Sequence, residues 1–456
     1  MASCSYTTGS IAEHQYNMNL MHALRGKVAK WPYGLISVFA AIAAFGAYTS
    51  MYAFRKAFAA GTFTGQQYFH IDYKVWLVIA QIIGYTLSKF YGIKFIAELK
   101  PGQRAKNILI LIGIAWLALL LFAFTPAPYN IIFLFINGFP LGLIWGLVFG
   151  YLEGRKSTEF MAAVLSISLI FASGFVKTIA RTLISSYHIS EYRMPFITGA
   201  LFVIPLLLFL FCLELIPPPT AEDVKLRTKR LPMDAAERKS FLLRFLPGII
   251  LTLIIYVLLT IMRDVRDNFE VEIWNSLGVK DNTIYTKIDT IISLIVLAAL
   301  SLLILVKKNL TAFSIIHVMI IFGCVLIGAS TILYSFGTIG PMAWMTLAGL
   351  GLYFGYVPYN AVFFERLLAS YHYKGNVGFL IYVADSAGYL GSISVLLVKE
   401  IGRPNISWGT FFKEGVMTVA IIGGICAILS LLYFLNTARK MNTTKQPLNK
   451  LNITTA

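Results

Sequence analysis

The sequence predicts an all-α membrane protein whose twelve transmembrane helices form two six-helix bundles. The first observation behind this prediction is the composition: 58% of the 456 residues are hydrophobic and only 13% are charged, a balance that soluble proteins do not have. The second is that apolar segments of about 20 residues, each long enough to cross the hydrocarbon core of a bilayer, recur along the chain. The third is a basic polar stretch in mid-chain, which leaves six apolar segments on each side.

The apolar segments follow one another with polar connections, and each is interpreted as one transmembrane helix. The fourth, tenth and eleventh are the least regular, because glycine or proline lies inside them. The predicted spans are 33–60, 73–95, 106–124, 129–152, 157–182, 195–216, 245–264, 284–306, 311–335, 341–365, 375–398 and 413–437.

The longest polar stretch, 217–244, begins with three prolines and continues with a run rich in Lys and Arg. Six plus six spans joined by a basic linker indicate two bundles related by a pseudo-twofold axis, with substrate bound between them. A short internal similarity agrees with this, since Gly142–Gly146 in span four parallels Gly351–Gly355 in span ten. The predicted parts are an N-terminal cytoplasmic segment (1–32), an N-terminal six-helix bundle (33–216), a cytoplasmic linker (217–244), a C-terminal six-helix bundle (245–438) and a cytoplasmic tail (439–456).

Lysine and arginine outside the predicted spans are concentrated on one side, in alternate loops and both terminal segments. Because such loops face the cytoplasm, both termini are expected to be cytoplasmic, in the inner (cytoplasmic or plasma) membrane. The net charge of +17 follows mostly from this bias, so no nucleic-acid partner is expected. Lysines next to the membrane are also expected to contact anionic lipids of the bilayer. Cysteine and histidine show no metal-ligand spacing, and no catalytic motif is found. We therefore expect no metal, no cofactor and no enzymatic activity.

Arg55 and Arg263 each lie in an apolar segment, one in each half of the chain, and each ends the same helical-face pattern. The two patterns are Tyr48-Tyr52-Arg55 and Tyr256-Thr260-Arg263. Spacings of four and three put each trio on one face of its helix. An arginine at the bilayer centre costs about 2.5 to 3.5 kcal/mol, so it usually faces a partner or a water-filled path. We interpret the pair as an anion clamp in a transporter, since guanidinium binds phosphate through two parallel hydrogen bonds.

Each of these cations also has a purely structural interpretation. Arg55 lies far enough along span one to snorkel at the outer membrane edge. Arg263 precedes Asp267 by four residues, a spacing that also suits an ion pair at a helix end. Lys89 has the alternative of reaching the inner interface, and Lys56 is expected to be interfacial.

Lys177 and Arg181 share one face of span five. Adjacent like charges indicate a wet, anion-accessible surface, and the alternative is that both side chains snorkel at the outer end of the span. Asp385 lies near the middle of span eleven and is interpreted as the counter-ion of Lys177 or Arg181. Its alternative role is that of a proton carrier.

Short motifs in spans one, two, seven, ten and eleven carry a resemblance to a known family. They are Tyr52–Phe58 (aromatic-x-x-Arg-Lys-x-Phe), Tyr85–Phe90 (Tyr-x-x-Ser-Lys-Phe), the pattern that ends at Arg263, Tyr356–Pro358 and Gly388–Gly391. Through these motifs the chain resembles the major facilitator superfamily and, within it, the organophosphate:phosphate antiporters of the glycerol-3-phosphate transporter type.

The resemblance implies the major facilitator fold, with Arg55 and Arg263 binding a phosphoryl group and Lys89 adding positive charge. A family histidine in span five has no counterpart here, and Lys177 and Arg181 stand in that helix instead. The residues implied to line the substrate path are Tyr52, Tyr85, Tyr356 and Tyr389.

These expectations combine into secondary active transport of a small anionic, phosphorylated metabolite by alternating access, in exchange for inorganic phosphate. An empty site with several like charges would repel itself, so closure without an anion is expected to be unfavourable. One alternative is proton-coupled symport of an organic anion such as a carboxylate or sugar acid, with Asp385, Asp289 or Glu365 carrying the proton. The other is a membrane sensor of the same fold that has lost transport.

Overall fold

The computed structural model describes residues 21, 23–98, 101–220, 222–223, 235–371 and 377–445, so parts of the expected terminal segments and linker lie outside the described residues. The described residues contain twelve long helices, which correspond in order to the twelve predicted spans. The first six are α1 (Tyr33–Lys56), α2 (Tyr73–Glu98), α3 (Arg104–Phe124), α4 (Ile131–Leu152), α5 (Thr158–Ser185) and α6 (Met194–Glu214). The second six are α7 (Leu246–Ser276), α8 (Ile284–Ile304), α9 (Asn309–Ser335), α10 (Pro341–Pro358, a π-helical turn Tyr359–Phe363, and Phe364–Ser370), α11 (Val377–Gly402) and α12 (Trp408–Thr418, a π-helical turn Val419–Gly423, and Gly424–Lys445).

Ten of these helices, all except α2 and α11, are long and apolar enough to cross a membrane. α2 and α11 have 26 residues each, or about 39 Å of helix, which exceeds the ~30 Å hydrocarbon core. The other regular elements in the described part of the chain are short 3₁₀ turns, short helical stretches at 23–28 and 222–223, a helix at Ala235–Arg244 and one hairpin of β1 (Gln67–Tyr68) and β2 (Ile71–Asp72). The predicted all-α membrane fold is confirmed.

Helix α7 continues twelve residues beyond the predicted end of span seven at 264, as far as Ser276. The extension contains one basic and three acidic side chains (Arg266, Asp267, Glu270 and Glu272), which a hydropathy pattern assigns to a loop. In the structure, Arg266, Asp267 and Glu270 are buried, because carboxylates and cations of neighbouring helices neutralise them. Phe269 has non-helical backbone angles and marks a kink within this extension.

The helices pack in two corresponding sets. In the first six, α1 packs against α4, α5 and α6; in the second six, α7 packs against α10, α11 and α12. The two sets meet where α5 lies against α8 and where α2 lies against α11. The corresponding positions of α1 and α7 place Arg55 and Arg263 in equivalent helices, while the expected domain boundaries stay predictions.

Glycine allows two pairs of helices to approach each other closely. A Cβ atom at Gly138 of α4 would lie 2.3 Å from the carbonyl oxygen of Gln81 in α2. A Cβ atom at Gly174 of α5 would lie 2.3 Å from the carbonyl oxygen of Tyr285 in α8. Such contacts need small residues, as is common between transmembrane helices. The first brings α2 against α4, and the second brings the two sets of helices together.

Two buried amides hold the end of α1, where the helix tightens into the 3₁₀ turn Ala57–Ala60. Gln81 donates to the carbonyl oxygen of Arg55 (2.7 Å) and to the Oδ1 atom of Asn137 (2.8 Å). Asn137 donates to the carbonyl oxygens of Phe54 and Ala115, each at 3.0 Å. Backbone carbonyl groups inside a membrane need hydrogen-bond partners. At the end of α1 these partners are side chains of α2 and α4, because the hydrogen bonds of the helix itself end there.

We call the end of the molecule where α1 and α7 end the hairpin end, and the opposite end, where both helices begin, the linker end. At the hairpin end, Glu191 accepts hydrogen bonds from the backbone of Thr62 and Phe63, each at 2.7 Å. The backbone N–H of Asp72 in β2 donates to Glu400 of α11 at 2.9 Å. The loop after α1 is therefore fastened to the α5–α6 loop of the first set and to helix α11 of the second.

At the linker end, Asp223 accepts four hydrogen bonds through its carboxylate. Backbone N–H groups of Lys156 and Thr220 donate at 2.9 Å each, and the hydroxyls of Tyr33 and Thr220 donate at 3.1 and 2.8 Å. Burial raises the pKa of the Asp223 carboxyl group, but these hydrogen bonds outweigh burial and lower the pKa to about 2. Asp223 thus ties the start of α1 and the α4–α5 loop to the chain after α6.

This arrangement predicts a pH dependence with a definite sign. Because the folded pKa lies below the ordinary aspartate value of about 3.9, stabilisation from Asp223 is complete above about pH 4 and is lost as the pH falls towards about 2. Asp223→Asn is expected to unfold at lower temperature at neutral pH and to lose this part of the acid sensitivity. Thermal unfolding of detergent-purified protein measures both effects, with the exposed neighbour Glu222→Gln as control. Equal stability of Asp223→Asn and wild type at neutral pH would contradict the assignment.

Candidate functional site

Arg55 projects from the end of α1 onto aromatic rings. Its guanidinium carbon lies 3.9 Å from the centre of the Tyr85 ring and 5.6 Å from that of Tyr52, distances typical of cation–π contacts. Within the described part of the chain, no carboxylate lies within ion-pair distance of this guanidinium, and its buried Nε has no hydrogen-bond partner. Arg55 is therefore available to an anion. It contacts rings of α1 and α2 instead of extending to an outer interface.

Arg263 occupies the equivalent position in α7 and also lies on an aromatic ring. Its guanidinium carbon is 4.2 Å from the centre of the Tyr356 ring. Unlike Arg55 it has an acidic partner, since its Nη2 donates to Asp264 at 2.6 Å. Ser392 of α11 donates to the other oxygen of Asp264 at 2.8 Å. The alternative of an Arg263–Asp267 pair is wrong, because Asp267 faces a different group of residues.

Lys89 crosses from α2 to form an ion pair with Asp385 of α11. The hydroxyl of Tyr256 donates to the second oxygen of Asp385, so this carboxylate is satisfied on both sides. The expectation that Asp385 is the counter-ion of Lys177 or Arg181 is wrong, since Lys89 takes that place. Lys89 does not reach the inner interface, because it is held at this carboxylate.

Aromatic rings join these cations into one site. Tyr85 and Tyr389 lie 5.7 Å apart across the two sets of helices, and Lys89 is 5.3 Å from the centre of each ring. Tyr52 and Tyr389 each lie within electrostatic range of both Arg55 and Arg263. The residues that the structure brings together, called the central site below, are Arg55, Lys89, Arg263, Asp264, Asp385, Tyr52, Tyr85, Tyr256, Tyr356 and Tyr389.

A second group of charges lies nearer the hairpin end and joins α1 and α5 to α7 and α8. Its closest pairs are Lys56–Asp267 at 2.8 Å, Lys177–Glu270 at 2.7 Å and Arg266–Asp289 at 2.7 Å. Lys177 also lies 3.4 Å from Asp267, and Arg266 lies 3.4 Å from Glu270. We call these residues the ionic cluster; its three cations and three carboxylates cancel.

The ionic cluster changes the interpretation of several cations. Lys177 is fully buried, so it neither snorkels nor lies on a wet surface. Lys56 is also buried and donates to Asn268 at 2.7 Å, so its expected interfacial position is wrong. Arg181 lies apart from Lys177's partners and donates weakly to the carbonyl oxygen of Ala60 at 3.3 Å. Roles of Lys177 and Arg181 in substrate binding stay predictions, and the structure does not bring either into the central site.

The sequence patterns do not assign a role to two residues of the central site, Asp264 and Tyr256, or to Asn360 beside it. In the sequence, Asp264 is only the residue that follows Arg263, and Tyr256 is only part of the helical-face pattern that ends at Arg263. Asn360 was not singled out; its Oδ1 atom lies 3.5 Å from the Tyr256 hydroxyl, in the π-helical turn of α10. A π-helical turn often marks a functional position, but it has no clear sequence pattern. In the described residues, no group of His, Cys, Asp and Glu is arranged to hold a metal ion.

Comparisons with known proteins agree with this architecture. A family model described as "Family of unknown function (DUF5690)" matches residues 57–437. No curated protein matches the sequence. Among solved structures, the chain is similar to a D-xylose-proton symporter, with a TM-score of 0.58, 16% identity, and coverage of 88% of this chain and 97% of that one.

Two further solved structures have the same fold. The POT family transporter PepTSo gives a TM-score of 0.55 and 13% identity, covering 90% of this chain and 99% of that one. A point mutant of the nucleoside transporter NupG gives 0.56 and 14% identity, covering 88% of this chain and 100% of that one. At these identities the likeness is one of fold. The expected fold, that of major facilitator transporters, is confirmed.

Proposed function

The chain belongs to DUF5690, a family of unknown function, and we propose that it is a secondary active transporter of a small anionic, phosphorylated metabolite. In this proposal the substrate binds at the central site, inorganic phosphate is the exchange partner, and transport proceeds by alternating access. The membrane is the inner (cytoplasmic or plasma) membrane, with both termini in the cytoplasm.

The observation that carries the proposal is that the guanidinium of Arg55 has no acidic partner among the residues that the structure describes. Cations inside a membrane protein usually have a carboxylate or several hydrogen-bond partners, whereas the half-buried Arg55 contacts aromatic faces. Its planar fork suits the bidentate geometry of a phosphoryl or carboxylate group. Arg263 lies on Tyr356 in the equivalent helix, so an anion between them would contact both sets of helices.

The charge of the central site is smaller than the sequence suggested. Lys89 is paired with Asp385 and Arg263 with Asp264, so three cations minus two carboxylates leave a net charge of +1. The expected self-repulsion of an empty site is therefore wrong as a cause of obligatory exchange. An anion instead competes with Asp264 for Arg263 and with Asp385 for Lys89, which links its binding to the arrangement of α7 and α11.

Alternating access requires the two sets of helices to part at one end and close at the other. At the hairpin end, the ionic cluster and the Lys74–Glu272 pair at 2.5 Å join the two sets. At the linker end, Arg366 lies 3.2 Å from Glu159. Binding energy drives such a change only through a difference in affinity between the two states, and contacts of one anion with both α1 and α7 would supply that difference.

Labelled inorganic phosphate loaded into liposomes with purified protein tests the proposal. Release of label is expected only when unlabelled phosphate or a small phosphorylated metabolite is added outside, and Arg263→Lys is expected to abolish it. A screen of such metabolites then identifies the physiological substrate. Binding without release, from folded protein, would favour a sensor. Neither binding nor release would overturn the proposal and favour an organic-anion symporter, for which carboxylates and sugar acids are the next probes.

A further inference from the structure

We propose that Asp289 is a proton-binding site, empty when the hairpin end is closed and occupied when that end is open. The inference rests on the alternating-access part of the proposed function and adds a second ligand, the proton, at a place separate from the central site. It makes opening at the hairpin end easier as the pH falls.

Asp289 is a fully buried carboxylate that is only half satisfied. Its Oδ1 accepts from Nη2 of Arg266 at 2.7 Å, while its Oδ2 has no hydrogen-bond partner. Buried polar atoms are almost always paired, so a free carboxylate oxygen in this position needs an explanation. A proton on Oδ2 requires no existing bond to break.

Several polar atoms around Asp289 also lack hydrogen-bond partners. Nε and Nη1 of Arg266 and Oε1 of Glu270 also lack hydrogen-bond partners. One guanidinium, Arg266, thus serves two carboxylates, with Glu270 at 3.4 Å as its second ion-pair partner. The charged and titratable groups that face Asp289 are Arg266 and Glu270 from α7, Lys177 from α5 and Tyr353 from α10, with Tyr285 one turn earlier in α8.

The cations and carboxylates of the ionic cluster are divided unequally between the two sets of helices, and this division leads to proton binding when the sets part. Lys56 and Lys177 belong to α1 and α5, whereas Arg266 and all three carboxylates belong to α7 and α8. Closed, the ionic cluster is neutral. Open, Lys177 leaves Glu270, and one arginine must serve both Glu270 and Asp289.

Two buried carboxylates that share one cation bind a proton more readily than a fully paired set. Asp267 also loses its partners Lys56 and Ser173 on opening, but among the described residues only Glu270 and Asp289 compete for Arg266. By linkage, a proton that binds the open state better also shifts the equilibrium towards that state. Asp289 takes this proton from solvent at the hairpin end when that end opens, and releases it to the same solvent when the end closes.

A cysteine at Thr178 reports the opening directly. Thr178 of α5 is hydrogen-bonded to Thr286 of α8 at 2.7 Å, so the cysteine is expected to react faster with a membrane-impermeant maleimide when α5 and α8 part. Thr338→Cys, in an exposed loop, is the matched control whose rate corrects for ionisation of the thiol. Both variants are made with the native cysteines replaced by serine.

The corrected labelling rate of Thr178→Cys is expected to rise as the pH falls, by up to about tenfold per pH unit for one proton. Adding Asp289→Asn is expected to remove the dependence and keep the rate at its acidic level, because an asparagine imitates the protonated carboxyl group. Asp281→Asn, which changes an exposed acid before α8, is expected to keep the wild-type dependence, since Asp281 lies outside the ionic cluster.

A rate independent of pH in the Thr178→Cys protein would overturn the inference, and so would an unchanged pH dependence in the Asp289→Asn variant. If Asp289→Asn does not fold, the pH profile with Asp289 intact, and Asp289→Glu with its titratable group retained, still decide the question. The labelling needs no substrate. Absence of phosphate exchange would therefore count against the proposed function alone.

Discussion

Arg55→Lys is expected to reduce phosphate affinity and phosphate exchange by about 10- to 100-fold. The lysine keeps the positive charge but loses the planar fork that makes two parallel hydrogen bonds, and a hydrogen bond to a charged group contributes about 1.5–3 kcal/mol. It also loses the flat contact with the Tyr85 ring, where the guanidinium lies 3.9 Å from the ring centre. Exchange in liposomes and calorimetric titration of phosphate measure the two effects.

The exposed residue Arg193, in the loop before α6, provides the matched control. Arg193→Lys makes the same chemical change away from the central site and is expected to leave exchange at the wild-type level. Arg55→Lys must also unfold at the wild-type temperature for the comparison to be valid. Full exchange by a folded Arg55→Lys protein would remove the central argument for an anion clamp.

Lys177→Met is expected to destabilise the protein by about 3–5 kcal/mol, because it leaves Glu270 buried without its nearest cation. Lys177 and Glu270 are both fully buried and lie 2.7 Å apart. Removing the second charge as well, in Lys177→Met with Glu270→Gln, leaves two cations and two carboxylates in the ionic cluster. The double variant is expected to recover most of the loss, since the remaining charges again cancel. Thermal unfolding in one detergent compares the three proteins.

An exposed pair supplies the control for this series. Lys287 pairs with Asp281 at 3.3 Å with 63% of its side chain exposed, and such pairs contribute at most about 1 kcal/mol. Lys287→Met is therefore expected to change the unfolding temperature little. If the double variant is no more stable than Lys177→Met, charge balance is not what stabilises the cluster.

Much of the fold could be predicted because its signals are local. A run of apolar residues of bilayer length needs no tertiary information, and the twelve helices follow the predicted spans. Arg55 and Arg263 could be singled out because they recur at equivalent places of the two halves. The tyrosines Tyr85 and Tyr389 followed from short motifs, and the structure places both beside Lys89.

The ion pairs could not be predicted, because their partners are far apart in sequence. Lys177 and Glu270 are 93 residues apart, and Lys89 and Asp385 are 296 apart. Sequence spacing identifies neighbours only within one helix, which is why the four-residue Arg263–Asp267 pair was considered. The true end of α7 was missed for the same reason. In the sequence, its charged extension resembles a loop. In the structure, cations of α1 and α5 neutralise its carboxylates, which allows the extension to be a buried helix.

The two amide side chains at the end of α1 have a consequence for movement. Gln81 and Asn137 bind the carbonyl oxygens of Arg55 and Phe54, so the backbone that carries the free guanidinium is fastened to α2 and α4. Arg55 cannot shift alone without leaving buried polar atoms unpaired. When a bound anion attracts Arg55, the force therefore acts on α1, α2 and α4 together. These three helices are expected to move as one rigid body.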